Sequence, residues 1–242
     1  MTNSNAEASP LIYARVAGIA YVLIILLGIF CVGFIDSKLI VPSNNAATAN
    51  NIMANDLLFR IGIAGVLIMY ASVVVLSWAL YVILKTVNKN LALLALILRS
   101  GEAILGGATV LISFIVLLLL NGEDYSTVFD AEQLQALAGL FLNVRAAALD
   151  IVLIFVGLGG TIFCYLFFKS NYVPGILAAW GIFTYLSMLV LALTNILFPN
   201  RPEIIEIVLF ALGSFFEIIF GFWLLFKGVK FQQRDVHASG SV

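Results

Sequence analysis

The sequence predicts an all-α polytopic membrane protein, a six-transmembrane-helix bundle forming one domain over residues 11–230. Three observations predict it. The composition is 63% apolar and 10% charged with a mean hydropathy of +1.13, so a soluble chain of 242 residues would have too little polar surface to cover itself. The apolar residues fall into six runs, each long enough to cross a hydrocarbon layer of about 30 Å. The charges are sorted along the chain, although the formal net charge is only −1.

Residues 1–10 are polar and read as a disordered arm. The first span, 11–35, carries Arg15 near its start. It is too long for the apolar core of a signal peptide, no small-x-small cleavage site follows, and Gly28-Ile29-Phe30 before Cys31 is no lipoprotein box. It is expected to remain as a span. Residues 36–56 are polar, but Ala49, Ile52, Met53 and Leu57 recur at helical spacing after Pro42 and the capping candidate Ser43. That predicts a short amphipathic helix near 45–57, on the surface or folded over the bundle.

Arg60 leads into the second span, 61–84, which ends at Lys85. Lys89 closes a very short loop, so the second and third spans form an antiparallel hairpin. The third span, 91–120, meets a solvated turn at Asn121-Gly122-Glu123-Asp124-Tyr125. Asp130 and Gln133 form a capping box that should start a helix. From there to Lys169 the chain has no proline for about forty residues, roughly 58 Å if helical throughout, twice what a bilayer needs. Its first part, with Leu134, Leu137, Phe141 and Arg145 on one stripe, is expected to project outward or to break near Asn143, leaving 146–168 as the fourth span.

Asn171-Tyr172-Val173-Pro174 makes the next turn, and the fifth span, 175–197, ends at the stop signal Phe198-Pro199-Asn200-Arg201-Pro202. The sixth, 204–226, is followed by Lys227, Lys230, Arg234 and a polar tail over 231–242 that is expected to be disordered. Orientation follows from the basic residues. A cytoplasmic N-terminus puts Arg15, Lys85, Lys89, Lys169, Lys227, Lys230 and Arg234 inside and leaves Lys38, Arg60 and Arg201 outside, which satisfies the positive-inside rule. The acids Asp36, Asp56, Glu123, Asp124, Asp130, Glu132, Glu203 and Glu206 then all lie outside. Both termini are expected to be cytoplasmic.

Two groups of polar residues inside the apolar runs are the candidate sites. A charge at the bilayer centre costs roughly 2.5–3.5 kcal/mol on insertion scales, so it needs a partner or water. Arg99 and Glu102 lie near the middle of the third span, and Glu217 lies ten residues before Lys227 in the sixth. At 1.5 Å per residue all three fall in one layer, roughly 12–20 Å from the cytoplasmic end. Arg99 is expected to pair with Glu217, with Glu102 on the same face completing the cluster. One carboxylate is then in excess and can stay protonated or hold a cation. An outer group, Arg60, Asn143, Arg145 and Asp150, would line an outward vestibule or reach the headgroups. Either group can equally serve only to fix helix register. Gly106-Gly107, Gly157-Gly159-Gly160, Gly213 and Gly221 read as contacts for close helix approach.

Four stretches carry a family resemblance: Ala14-Arg15-Val16-Ala17-Gly18-Ile19-Ala20-Tyr21, Lys38-Leu39-Ile40-Val41-Pro42, Leu58-Phe59-Arg60-Ile61-Gly62, and Phe129-Asp130-Ala131-Glu132-Gln133-Leu134-Gln135-Ala136-Leu137. The chain resembles, between about 11 and 229, the bacterial membrane family called domain of unknown function 4386. The resemblance implies a six-span inner-membrane protein and supplies no substrate, cofactor or catalytic residue.

Several functions are disfavoured. Cys31 and Cys164 lie in separate apolar runs, and the single histidine, His237, sits in the polar tail, so no metal site and no histidine catalysis in the membrane is expected. There is no GxSxG or HExxH motif, no P-loop, no dinucleotide fingerprint and no basic patch beyond the cytoplasmic anchors. An acid pair of Asp150 with Glu217 would lie about 13 Å apart along the membrane normal. The expectation is therefore no enzyme, no cofactor, no nucleotide and no nucleic acid. What remains is a small transporter, channel or accessory subunit using the Arg99, Glu102 and Glu217 layer. The alternative is a structural or stress-related membrane partner whose charges are architectural. Lipid is the expected surrounding, with a second copy or a partner subunit as companion.

Overall fold

The computed structural model describes residues 10–122, 125, 128–198 and 203–230. The N-terminal arm over 1–9, Glu123 and Asp124 of the solvated turn, the 199–202 stop signal and the tail over 231–242 lie outside the described residues. Those described form seven helices and no strand, and six of the helices are long and apolar enough to cross a membrane.

Helix α1 runs as an α-helix over Pro10–Gly28, becomes π-helical over Ile29–Asp36 and finishes at Ser37–Leu39, so the first span reaches Leu39, four residues beyond the predicted end. Helix α2, Asn45–Ala54, is the predicted amphipathic helix. Its cap is Asn44, whose side chain accepts from the Ala47 amide at 2.9 Å, and not Ser43, which turns the chain at φ 59°. The buried face also differs from the predicted stripe: Thr48, Ala49 and Ile52 are covered, while Met53 and Leu57 are 42% and 71% exposed. Thr48 closes the preceding loop by accepting from the Val41 amide, and this rotates the helix away from a Met53 contact.

Helix α3, Asp56–Leu84, starts one turn earlier than the apolar run, because Asp56 and Arg60 bridge at 2.7 Å on its first turn. Helix α4, Lys89–Asn121, is capped by the Asn88 side chain, which accepts from the Leu91 amide at 3.0 Å. Helix α5, Ala131–Ser170, is one unbroken helix of 40 residues with no break at Asn143. Both halves of its capping box are made: the Asp130 carboxylate accepts from the Gln133 amide at 2.8 Å, and Gln133 accepts from the Asp130 amide at 3.1 Å. The helix ends on Asn171, which sits in the left-handed region at φ 56°. Helices α6, Gly175–Leu197, and α7, Glu203–Phe226, match the predicted fifth and sixth spans to within one residue.

A 40-residue helix is roughly 60 Å long, so about half of α5 must find cover outside the hydrocarbon layer. It finds it under α2. Ala138 and Leu142 pack in one cluster with Ile35, Leu39, Ile52 and Phe59. A larger cluster fills the opposite half, built from α1, α3, α4, α5, α6 and α7 around Phe163, Phe167, Tyr185, Phe216 and Phe220. Between the two lies a small third group: Tyr70, Val73, Ala103 and Val152. The α1–α7 crossing depends on Gly18, where an added Cβ would lie 2.6 Å from the Leu225 amide nitrogen and 2.7 Å from the Gly221 carbonyl.

The two described chain ends share one end of the bundle. A Cβ on Gly228 would meet the Leu11 side chain, the Lys230 amide donates to the Tyr172 carbonyl at 2.9 Å, and the Tyr172 hydroxyl is 3.3 Å from that of Thr86. Arg15, Lys85, Lys89, Lys169, Lys227 and Lys230 are all exposed there. Helix α2 covers the opposite end.

Candidate functional site

Two polar arrangements sit inside the apolar bundle, one in each half. The first is built on α4. Arg99 and Glu102 are three residues apart on one helix face, where side chains meet directly, and their ion pair is 2.7 Å long. Only 4% of Arg99 and 5% of Glu102 is exposed. The arginine fits because α5 offers Gly159 opposite it, where a Cβ would lie 2.8 Å from Arg99 Cγ. The next residue, Gly160, makes the same room for the Tyr185 ring of α6. Arg99 Cζ then lies 6.0 Å from the centre of that ring, within reach of a cation–π attraction.

Tyr185 connects the arginine layer to α7. Its hydroxyl donates to Glu217 Oε1 at 2.9 Å. With that proton committed, the Tyr185 oxygen accepts from Tyr21 of α1, 3.2 Å away. The expected Arg99–Glu217 pair is therefore replaced: the ion pair of Arg99 is with Glu102, and Glu217 takes its hydrogen bond from Tyr185. A partner on the same helix needs no second helix at matching depth, and a tyrosine is long enough to reach what the arginine does not. Glu217 remains within electrostatic reach of Arg99.

Sequence reasoning missed Tyr21 and Tyr185. A signal existed. Tyrosine belongs at the membrane interfaces, and Tyr185 lies midway along a 23-residue span. One guanidinium faces two carboxylates here. Binding one proton brings such a cluster to neutrality, which is what a low-dielectric surrounding favours.

The second arrangement lies toward the α2 end. The four residues expected to share an outer layer are divided among separate contacts. Arg60 bridges Asp56, whose other oxygen accepts from Asn121 at 2.6 Å. Arg145 pairs with Asp36 of α1 at 2.8 Å and donates to the Ser113 hydroxyl of α4 at 3.2 Å. Asp150 accepts from Asn195 of α6 at 2.6 Å. Asn143 is exposed. The Asp36 partnership was hidden because the π-helical turn shifts the register of α1 just before it, and regular 3.6-residue spacing cannot anticipate that.

Beside the Asp36–Arg145 pair lies a cavity of about 20 Å³, lined among others by Cys31, Thr109 and Ser113. That is room for about one water, and the lining offers the polar partners that a water needs. Cys31 reaches the cavity because Gly65 of α3 carries no Cβ, which would overlap the Cys31 sulfur. Among the described residues no group of three histidine, cysteine or acidic side chains is arranged to hold a metal ion.

No match to the chain is found among curated proteins or solved structures. A family model described as domain of unknown function (DUF4386) matches residues 16–228. Six apolar helices and a match over most of its length make this multi-pass membrane protein a member of the DUF4386 family.

Proposed function

We propose that the protein is a small proton-responsive transport or accessory subunit of the bacterial inner membrane, working through the Arg99, Glu102 and Glu217 cluster without a catalytic step. One observation carries this reading: a second carboxylate within the bundle, the half-buried Glu217, is held by a tyrosine instead of by the arginine. A purely architectural pair would be complete with Arg99 and Glu102 alone. The extra carboxylate adds a proton-binding position to the layer, and Tyr185 relates it to the arginine. Charged sites near the bilayer midplane are where membrane carriers bind coupling ions. With six spans, the protein would work beside a second copy or a partner subunit.

An architectural reading is favoured by a different observation, the near-complete burial of Arg99 and Glu102. A proteoliposome assay separates the two. Vesicles holding the wild type and an internal pH dye are given a proton gradient, and the gradient should collapse faster than in vesicles holding Glu217→Gln. Equal rates, with both proteins monodisperse and equally reconstituted, would rule out the proton-linked reading and leave the architectural one.

A further inference from the structure

We infer that one face of α4 forms an access path from the cavity at the α2 end to the Arg99–Glu102 pair, with the Tyr70 ring as its closed gate. The inference rests on the proton-linked reading above for its purpose, though not for its geometry. Glu102, Gly106, Thr109 and Ser113 follow one another at spacings of four, three and four, so they share one helix face, and all four are buried. From Glu102 to Thr109 is seven residues, about 10 Å along the helix. No large apolar side chain of α4 interrupts that face, because the position between the two polar ends is Gly106.

The upper end of the face is already polar and open. Ser113 receives Arg145, and Thr109 lines the cavity. The Thr109 hydroxyl donates to the Gly106 carbonyl at 2.6 Å, so its oxygen lone pairs remain to accept from water. Asp36 and Arg145, which flank the cavity, are 23% and 17% exposed at their side chains, so this end is less closed than the Arg99–Glu102 pair. The lower end is the sealed ion pair.

Tyr70 of α3 separates the two. A Cβ on Gly106 would overlap the Tyr70 ring and come within 2.6 Å of its hydroxyl oxygen. The ring therefore occupies the place where an α4 side chain would otherwise stand. It is 8% exposed and packs with Val73, Ala103 and Val152, the thin apolar layer between the two larger cores. Its hydroxyl is within electrostatic reach of both Glu102 and Arg145. A tyrosine pivoting about its own side-chain torsions, against a glycine that offers no wall, opens such a layer without moving a helix. The species admitted is water, and with it a proton.

Silver ion tests this, since it follows water and replaces the proton of a thiol. In a background of Cys31→Ala and Cys164→Ala, single reporters Thr109→Cys and Ala103→Cys are placed above the ring and within the layer it closes. Each is reconstituted in lipid nanodiscs, exposed to silver, and read by protection from N-ethylmaleimide after denaturation. Thr109→Cys should react with Tyr70 in place, and Ala103→Cys should react slowly. Tyr70→Ala should speed the Ala103→Cys reaction by about tenfold or more while leaving Thr109→Cys unchanged. Gly106→Ala, which displaces the ring from the opposite wall, should do the same, and Tyr70→Phe should not. An inert Thr109→Cys, or an Ala103→Cys that reacts equally with and without the ring, overturns the path. Labelling needs no transport: the expected pattern beside an unaffected Glu217→Gln gradient leaves the path standing and removes the proton-linked reading. A Glu217-dependent flux with Ala103→Cys silent in both opened variants removes the path alone.

Discussion

A buried arginine is defined by what lies within its reach, and for Arg99 that is Glu102. Replacing Arg99 by leucine leaves Glu102 buried without its countercharge, so Arg99→Leu should destabilise the protein by about 3–5 kcal/mol. Arg99→Leu with Glu102→Leu should recover most of the loss, because apolar groups of similar volume replace both charges. Arg99→Leu with Glu217→Leu should not, since it removes the carboxylate that Tyr185 already holds. Unfolding in a graded detergent mixture ranks the three, and rescue by the Glu217 combination would restore the pairing first expected between the third and sixth spans. The charges themselves were legible in the sequence, because an arginine and two carboxylates inside apolar runs stand out by insertion cost alone. Their pairing was not. Depth along a helix follows from residue number, but rotation about the axis decides the partner, and that depends on glycines such as Gly159 on a helix far away in the chain.

At the scale of the helix, the close approaches are set by residues that lack a side chain, and they are not equal. At Gly18 the atoms in the way are backbone atoms of α7, so no rotamer change can relieve the clash. Gly18→Val should therefore push α1 and α7 apart and cost about 3 kcal/mol or more, at the upper end of overpacking costs. Gly107 meets nothing within 4 Å, and Gly107→Ala should fall within about 0.5 kcal/mol of the wild type. Thermal unfolding of the two variants in one detergent checks the contrast, and a neutral Gly18→Val would mean that the α1–α7 crossing is not a tight one. Both glycines look alike in the sequence. Helix existence was readable throughout, since hydropathy and the Asp130–Gln133 box mark it locally. The far end of α1 and its π-helical stretch were not, because they answer to tertiary contacts at Arg145 and Gly65. The buried stripe of α2 was misjudged for the same reason: Thr48 bonds across its loop and sets the rotation.

Over the whole molecule, the distribution of charge has a direction. The end of the bundle that gathers the two described chain ends exposes Arg15, Lys85, Lys89, Lys169, Lys227 and Lys230, whereas the α2 end carries Asp36, Asp56, Asp130 and Glu132 beside Lys38 and Arg60. Short loops rich in lysine are retained on the cytoplasmic side, and carboxylates weigh little in that choice. The two halves are also built differently. The termini half is packed from aromatic rings around Phe216 and Phe220, while the other half holds the cavity and the Asp36–Arg145 pair. If insertion follows the basic residues, the half with the cavity faces outward and the aromatic half faces the cytoplasm, and the Tyr70 layer then separates the outer side from the charged cluster. A green fluorescent protein fused after residue 230 should therefore fluoresce in bacterial cells, since it folds only in the cytoplasm. Alkaline phosphatase inserted between 122 and 130 should be active, since it forms its disulfides only outside. The reverse result in both fusions would turn the molecule over, place the cavity on the cytoplasmic side, and make the charged layer accessible from within the cell.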